Sequence, residues 1–411
     1  LAAETANATV LRQASEGLTV SGVGGWTRLM LSLAPQMTHG NLTLVLADGR
    51  RFRAEGSQPG RDATVFLNNE RMPRRLLTGG NLSFAESYLD GDWDSPDLAA
   101  LTEWACQNER LDEALEGKPL YRLLRRALFA LQGNNKRGAK RNIAYHYDLG
   151  NAFYSQWLDP SMAYSSAVYS RPGEPLEEAQ RNKFRRMADL MDARPGQRVL
   201  EIGAGWGGFA CYIARERGCT VNGITISKEQ LEFARRRAFE EGLAERVTFE
   251  LRDYRDLVGR YDRIASIEMF EAVGEKYWPV YFSKLRDALD PGGRAALQVI
   301  TIADKYFDAY RGSMDFIQRY IFPGGMLPSP TALRGVAEQQ GLSLVDRAAF
   351  RHDYADTLAE WGRRFRTAWP RIAPLGFDER FRRMWEYYLA YCEGGFRAGT
   401  IDVEQVVFTR A

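Results

Sequence analysis

From residue 176 onward the chain alternates short, continuously apolar runs with longer stretches whose apolar residues recur three and four apart. The first pattern fits strands buried on both faces, the second helices with one apolar stripe. Read this way, 176–191 is a helix, 198–202 a strand, 209–217 a helix, 220–226 a strand and 228–241 a helix. Strands follow at 247–251 and 263–267, a helix closes over 284–289, and a strand spans 294–300. This rhythm predicts an α/β fold, a parallel doubly wound sheet with ligands at the carboxyl ends of its strands. Residues 303 to about 344 break the rhythm and are expected to form an α-helical lid over the site. Residues 404–410 read as a terminal edge strand.

Residues 1–135 pattern differently and predict a smaller α+β domain, leaving 136–411 as the catalytic one. An alternating run at 41–50 ends in an Asp-Gly turn, and 63–67 is a second strand. Helical spacing follows at 83–88 and 97–107. The stretch 118–131 is apolar on one side and carries Arg122, Arg125 and Arg126 on another; 133–142 is a basic linker in composition. Two readings stand: a packing helix with a solvated connection, or a peripheral contact with an anionic membrane surface.

Composition narrows the classes. The chain has 411 residues, 45% hydrophobic and 26% charged, which is globular and large enough for two domains. A net charge of +2 gives no general attraction to nucleic acid. No apolar run approaches the ~18–20 residues of a membrane span, and no signal-peptide pattern is visible. Cys106, Cys211, Cys219 and Cys392 are spaced for neither a disulfide framework nor a zinc site, and histidines are few (His39, His146, His352). The expectation is a cytoplasmic, peripherally membrane-associated protein without metal. A homodimer is left open.

The chemistry concentrates at Val199-Leu-Glu-Ile-Gly-Ala-Gly-Trp-Gly-Gly-Phe-Ala210. An apolar strand ends near a carboxylate, then a glycine-rich turn opens a helix, the arrangement that lets backbone N–H groups approach a nucleotide-like cofactor. Gly203, Gly205 and Gly208 satisfy G-x-G-x-x-G, so a dinucleotide site has to be weighed. Three features favour S-adenosylmethionine (SAM). Glu201 stands at the strand end, where it suits a cationic amino-acid group. The next strand, 220–226, ends without the acidic residue that grips a nicotinamide cofactor's ribose. Leu289-Asp-Pro-Gly-Gly293 then forms a turn typical of SAM-dependent methyltransferases. Thr225 and Gln230 flank the end of that second strand, where neutral polar groups suit ribose hydroxyls. Asp253 and Tyr254 follow the third, where an acceptor and an aromatic wall suit adenine, and Ile267 closes the fourth.

Further motifs carry a family resemblance. His146-Tyr-Asp-Leu-Gly-Asn151, Leu158-Asp-Pro-Ser-Met-Ala-Tyr-Ser-Ser166, Phe270-Glu-Ala-Val-Gly274 and Tyr320-Ile-Phe-Pro-Gly-Gly-Met-Leu-Pro328 together resemble the cyclopropane fatty acid synthases. The likeness runs from about Asn41 to the end, and the amino-terminal region resembles the extra domain of phospholipid-acting bacterial members. The resemblance implies a class I methyltransferase fold and SAM-dependent methyl transfer to a double bond in an unsaturated phospholipid acyl chain. It implies SAM contacts at Tyr164, Ser165, Gly203, Thr225 and Gln230, and His146 is assigned to ordering the Tyr164–Ser166 loop over SAM. It also implies a bound bicarbonate that takes a proton from the transferred methyl, held by a cysteine, a glutamate, a histidine, backbone at an isoleucine and a tyrosine. Glu271, Ile300 and Tyr354 stand at matching places. Ser166 replaces the cysteine and Gln298 the histidine. Both still donate hydrogen bonds, but glutamine exchanges no proton. The ring-closing step is therefore in question, and the expected product leans to a methyl-branched or methylene chain over a cyclopropane. Tyr306, Phe307, Phe316, Tyr320 and Phe322 offer aromatic faces to a carbocation. The rivals are methylation of a soluble small molecule and a SAM-binding lipid carrier.

If the basic helix meets lipid, charge reversal of Arg122, Arg125 and Arg126 weakens sedimentation with anionic vesicles. The loss should shrink as salt rises, each basic group contributing about 1 kcal/mol. Equal sedimentation of variant and wild type returns the helix to packing.

Overall fold

The computed structural model describes residues 9–11, 22–109 and 149–410. The arginine-bearing stretch 118–131, the basic linker and His146 lie outside them. Among the described residues no helix is long and apolar enough to cross a membrane. The chain forms two compact units. One takes the residues up to 109 with Ser313–Phe316 and Gly376–Ala398; the other takes 149–312, Ile317–Leu375 and 399–410.

The first unit holds a five-stranded sheet in the order β1-β3-β2-β4-β5. Its strands are β1 (Thr9–Leu11), β2 (His39–Leu46), β3 (Arg51–Glu55), β4 (Gln58–Leu67) and β5 (Trp93–Asp94). β2 and β3 run antiparallel through the expected Asp48-Gly49 turn, where Gly49 takes φ +85°. Pattern alone hides β3, because Arg51 and Arg53 flank its buried Phe52 and Ala54. The helix Arg71–Leu89 is longer than the 83–88 stretch that sequence suggests; Gly80 breaks it at φ +62°. Leu98–Gln107 is the expected helix, capped by Asp97, whose side chain accepts from Ala100 N at 2.9 Å. Glu379–Ala398, far along the chain, completes this unit. There Arg383 donates to Tyr88 O (2.6 Å) and Trp93 O (2.8 Å), pairs with Asp94 (2.8 Å) and lies 3.9 Å over the Tyr88 ring.

The second unit is built on a seven-stranded sheet, ordered β11-β12-β10-β9-β6-β7-β8. Strands β6 (Arg198–Ile202), β7 (Thr220–Thr225), β8 (Val247–Leu251), β9 (Tyr261–Ile267) and β10 (Leu289–Ile302) pair in parallel. β11 (Leu342–Ala349) and β12 (Ile401–Arg410) close the sheet as antiparallel members. The helices Leu176–Leu190, Gly208–Arg217, Lys228–Glu240 and Trp278–Ala288 fall close to the expected positions. Alternation along β6 divides the core. Val199 joins Met187, Ile213 and Phe249 on one face, while Leu200 and Ile202 join Ile264, Phe282 and Leu297 on the other.

Two expectations change. β12 is not an edge strand: it lies between β10 and β11, with partners along both sides. An apolar run records burial and not the number of neighbours, so the edge falls to β11, whose burial is interrupted by Val345, Asp346 and Arg347. The interruption after residue 302 is also shorter than expected. Asp304–Arg311 and the π-helical turn Ile317–Ile321 belong to it, but Pro330–Gln339 packs beside β11 and the helix Trp278–Ala288 as an ordinary layer helix.

Replacing Arg383 with Met removes two hydrogen bonds to carbonyls, an ion pair with Asp94 and a cation–π contact in the first unit. A loss of about 2–4 kcal/mol is expected, read as an earlier transition in denaturant unfolding.

Candidate active site

The carboxyl ends of β6, β7, β9 and β10 converge on one region of the second unit. After β6 the backbone turns through Gly203 (φ +83°), Gly205 (φ +52°) and Gly207 (φ +80°) before the helix Gly208–Arg217. A Cβ on Gly203 would meet Met269 at 2.7 Å, and one on Gly207 would meet Phe249 at 2.8 Å. One on Gly205 would meet nothing within 4 Å. The first and third glycines thus serve packing, and the middle one faces open space of the kind a ligand fills. Glu201 is 3% exposed; one side of its carboxylate is met by Ala210 N–H at the helix start, and Oε2 has no hydrogen-bond partner. Burial pushes its pKa up to about 8, against the Ala210 bond and the charge of Lys183. A buried carboxylate with a spare oxygen beside an open glycine turn fits a cationic amino-acid group.

The other expected cofactor residues surround this turn. Thr225 Oγ1 donates to Gln230 Oε1 at 2.9 Å, leaving the Gln230 amide nitrogen as a spare donor. Ile267 ends β9, half-buried against the core. Tyr254 packs edge-on to Tyr281 at 5.4 Å. Asp253 is already engaged: its carboxylate takes the Arg255 guanidinium through both oxygens, at 2.8 and 2.6 Å. Trp206 donates to Asn151 at 2.6 Å, tying the glycine turn to the end of the 146–151 motif.

The loop 158–167 is held from several sides. Asp159 accepts from Ser161 N and Ala163 N; Arg237 donates to Pro160 O, Ser161 O and Trp206 O. Gln180 donates to Ser165 O at 2.9 Å, Lys183 to Ser165 Oγ at 2.7 Å, and Ala167 N to Thr357 Oγ1 at 3.1 Å. Tyr164 sits among rings at 5.4 Å (Tyr154), 5.6 Å (Trp157), 5.3 Å (Trp361) and 6.4 Å (Phe322). Of the aromatic residues expected to face a carbocation, the structure brings Phe322 to this wall. Phe307 stacks on Trp278, and Phe316 packs on Tyr387 in the first unit.

The residues expected to hold an anion do converge, but on a side chain. Ser166 N donates to Glu268 Oε1 at 2.8 Å, Gln298 Nε2 to the same oxygen at 2.7 Å, and Tyr354 OH to Oε2 at 2.6 Å. Gln405 on β12 donates to Gln298 Oε1 at 2.9 Å, which fixes the amide with its nitrogen toward Glu268. Ser166 contributes its backbone, its hydroxyl being turned to Ala167 O. Ile300 N is met by Glu271 Oε1, and Glu271 Oε2 is buried without a partner. The donors that bicarbonate needs are therefore spent on Glu268 and Glu271, and this site does not fit a separate bicarbonate.

Glu268 itself escapes the sequence reading. Its signal is a carboxylate directly after a strand and three residues before Glu271. It adopts φ +48°, a left-handed conformation that costs a non-glycine residue about 1–2 kcal/mol. Such strain persists where the surroundings over-determine it, as three donors do here. Desolvation raises the pKa of Glu268, opposed by those donors and by Lys183. Glu271 is pushed up to about 8 by burial and then by the charge of Glu268.

Comparison with known proteins places this geometry. Residues 134–406 match the mycolic acid cyclopropane synthetase family model. The chain is 40% identical to the tuberculostearic acid methyltransferase of Mycobacterium tuberculosis over 385 residues, 91% of this chain and 88% of that protein. It is also 40% identical to the cyclopropane-fatty-acyl-phospholipid synthase of Escherichia coli over 364 residues, 86% of this chain and 89% of the relative. Among solved structures it resembles a cyclopropane synthase from Mycobacterium tuberculosis, with TM-score 0.62 and 28% identity, covering 66% of this chain and 98% of that one. A mycolic acid cyclopropane synthase complexed with S-adenosylhomocysteine matches with the same score, identity and coverage.

If the space at Gly205 receives the cofactor, Gly205→Val removes SAM binding in calorimetric titration while circular dichroism stays native. A folded variant with unchanged affinity assigns the site elsewhere.

Proposed function

The chain belongs to the mycolic acid cyclopropane synthetase family and is a SAM-dependent methyltransferase acting on lipid acyl chains, and we propose that Glu268 is its resident base. The substrate is an unsaturated fatty acyl chain, most simply within a phospholipid, and the product an open methyl-branched or methylene chain. The observation that carries the reading is the carboxylate of Glu268, held by Ser166 N, Gln298 and Tyr354.

SAM supplies an electrophilic methyl carried on sulfonium. The protein's task is to align an alkene with it, keep water out and remove one proton afterwards. The rings of Tyr154, Trp157, Tyr164 and Trp361 wall the loop that carries the cofactor contacts, and Tyr354 is edge-on to Trp361 at 6.2 Å. These faces suit both an acyl chain and a transient cation. When the alkene's electron pair forms the new carbon–carbon bond, the carbon–sulfur pair leaves with sulfur and the positive charge passes to the neighbouring chain carbon. Glu268 then accepts a proton from a carbon beside that centre, and the released pair closes a double bond. Two neutral donors and a backbone N–H hold the base without protonating it, which glutamine does where histidine would exchange protons.

Glu268→Gln should lower turnover ~100-fold or more, the usual contribution of a general base, with SAM affinity kept within a few-fold. Because the base acts ionised and burial raises its pKa, wild-type turnover should climb with pH through a value above the ordinary carboxylate range. Removing bicarbonate from the buffer should change nothing. In Glu268→Gly, where φ +48° costs glycine nothing and the donors fall free, added bicarbonate should restore part of the rate. A wild type that needs bicarbonate, or a fully active Glu268→Gln, overturns the assignment.

The product is read with a fully deuterated methyl donor and mass spectrometry of the lipid. Three deuterons in a branch beside a displaced double bond mean that the proton left the chain. Two in an exocyclic methylene mean that a hydride first moved from the methyl-bearing carbon to the cationic carbon and the proton then left the methyl. A cyclopropane as the chief product overturns the open-chain assignment, leaving Glu268 as the base for ring closure.

A further inference from the structure

Lys183 lies in the middle of the helix Leu176–Leu190 with no solvent exposure. A lysine so placed forfeits hydration of its charge and calls for compensation. Among the described residues its ammonium makes one hydrogen bond, to Ser165 Oγ at 2.7 Å. Burial lowers its pKa to about 8, while the charges of Glu268, Asp159 and Glu201 hold it up. Those carboxylates favour the charged form of a group that bonds to the loop 158–167 from behind.

The direction of that one bond decides what it does. An ammonium only donates, so the Ser165 oxygen is the acceptor and the hydroxyl proton must point elsewhere. Among the described residues that hydroxyl finds no acceptor, although Ser165 is 6% exposed. One turn earlier on the same helix, Gln180 fixes Ser165 through its carbonyl at 2.9 Å. Two residues of one helix face thus hold Ser165 by its backbone and its side chain, with the hydroxyl proton directed away from the lysine. The ammonium behind that donor also feels the charge of Glu201, whose Oε2 is a buried acceptor without a partner. A zwitterionic amino-acid group needs one donor and one acceptor of this kind.

We propose that Lys183 is a positioning residue of the cofactor site: it orients and polarises the Ser165 hydroxyl as the donor to the carboxylate of SAM. The inference rests on the reading of the 164–165 loop as a cofactor contact and is independent of Glu268 as base. A hydroxyl that accepts from a cation donates more strongly, so the lysine's charge reaches the carboxylate through one oxygen. Glu201, with its spare oxygen, is the acceptor for the amino group.

The test compares binding of S-adenosylhomocysteine with binding of its decarboxylated counterpart by calorimetry, in wild type, Lys183→Met, Ser165→Ala and the double variant. Both single variants should weaken S-adenosylhomocysteine ~10-fold or more, as loss of a charge-assisted hydrogen bond does. The decarboxylated ligand should change by less than about threefold, and the double variant should be no worse than either single one, because the two residues act in series. Lys183→Met should melt no lower than wild type, since an apolar chain replaces a buried charge. Equal weakening of both ligands by Lys183→Met shows a packing role and overturns the proposal. Unchanged carboxylate discrimination in Lys183→Met, with Ser165→Ala defective, overturns it while leaving the loop as a cofactor contact. No effect of Ser165→Ala removes the loop reading itself.

Discussion

The site depends on a carboxylate desolvated among donors that cannot follow it if it moves. Ser166 N comes from a loop, Gln298 from the middle of β10, Tyr354 from the first turns of a helix, and all meet the oxygens of Glu268. Each donor is in turn fixed by something that does not touch the carboxylate. Gln405 on β12 holds Gln298; Thr357, one turn from Tyr354, holds Ala167 beside Ser166. Losing this anion would leave several buried polar groups unpaired at once, each costing about 1–3 kcal/mol. The left-handed backbone at Glu268 is sustained by that arithmetic.

The same logic explains why the antiparallel end of the sheet matters to chemistry. β12 lies between β10 and β11, and its inward face brings Gln405 to Gln298, while Glu404 accepts from Thr301 and pairs with Arg347. The strand that reads as a sheet margin backs the candidate site through Gln405. Its apolar residues Val403, Val406 and Val407 are 0–1% exposed and give no hint of that in sequence.

Much of the second unit is legible because parallel strands are apolar throughout and their helices keep a clean period. Boundaries such as 220–226 against Thr220–Thr225 differ by a residue. The glycine turn is legible too, although which glycine faces a ligand is not: φ is positive at Gly203, Gly205 and Gly207 alike, and only neighbours in space separate them. Lys183 is hidden in a run with Arg181, Arg185 and Arg186, where a basic residue reads as solvated surface. Glu268 is hidden because a polar residue after a strand is what any strand end shows. The five residues matched to an anion site do gather, yet sequence likeness supplies positions and not occupants. The occupant came from the chain.

A base that is part of the polypeptide is present once per site and in constant register. It does not have to be captured from solution, and it cannot diffuse out between turnovers. For an enzyme built on Glu268, output is uncoupled from the supply of dissolved inorganic carbon, and so from carbon dioxide tension and carbonic anhydrase activity around it. Lipid modification then tracks SAM and the alkene alone. In such an enzyme one side chain would cut the link between dissolved carbon dioxide and acyl-chain modification.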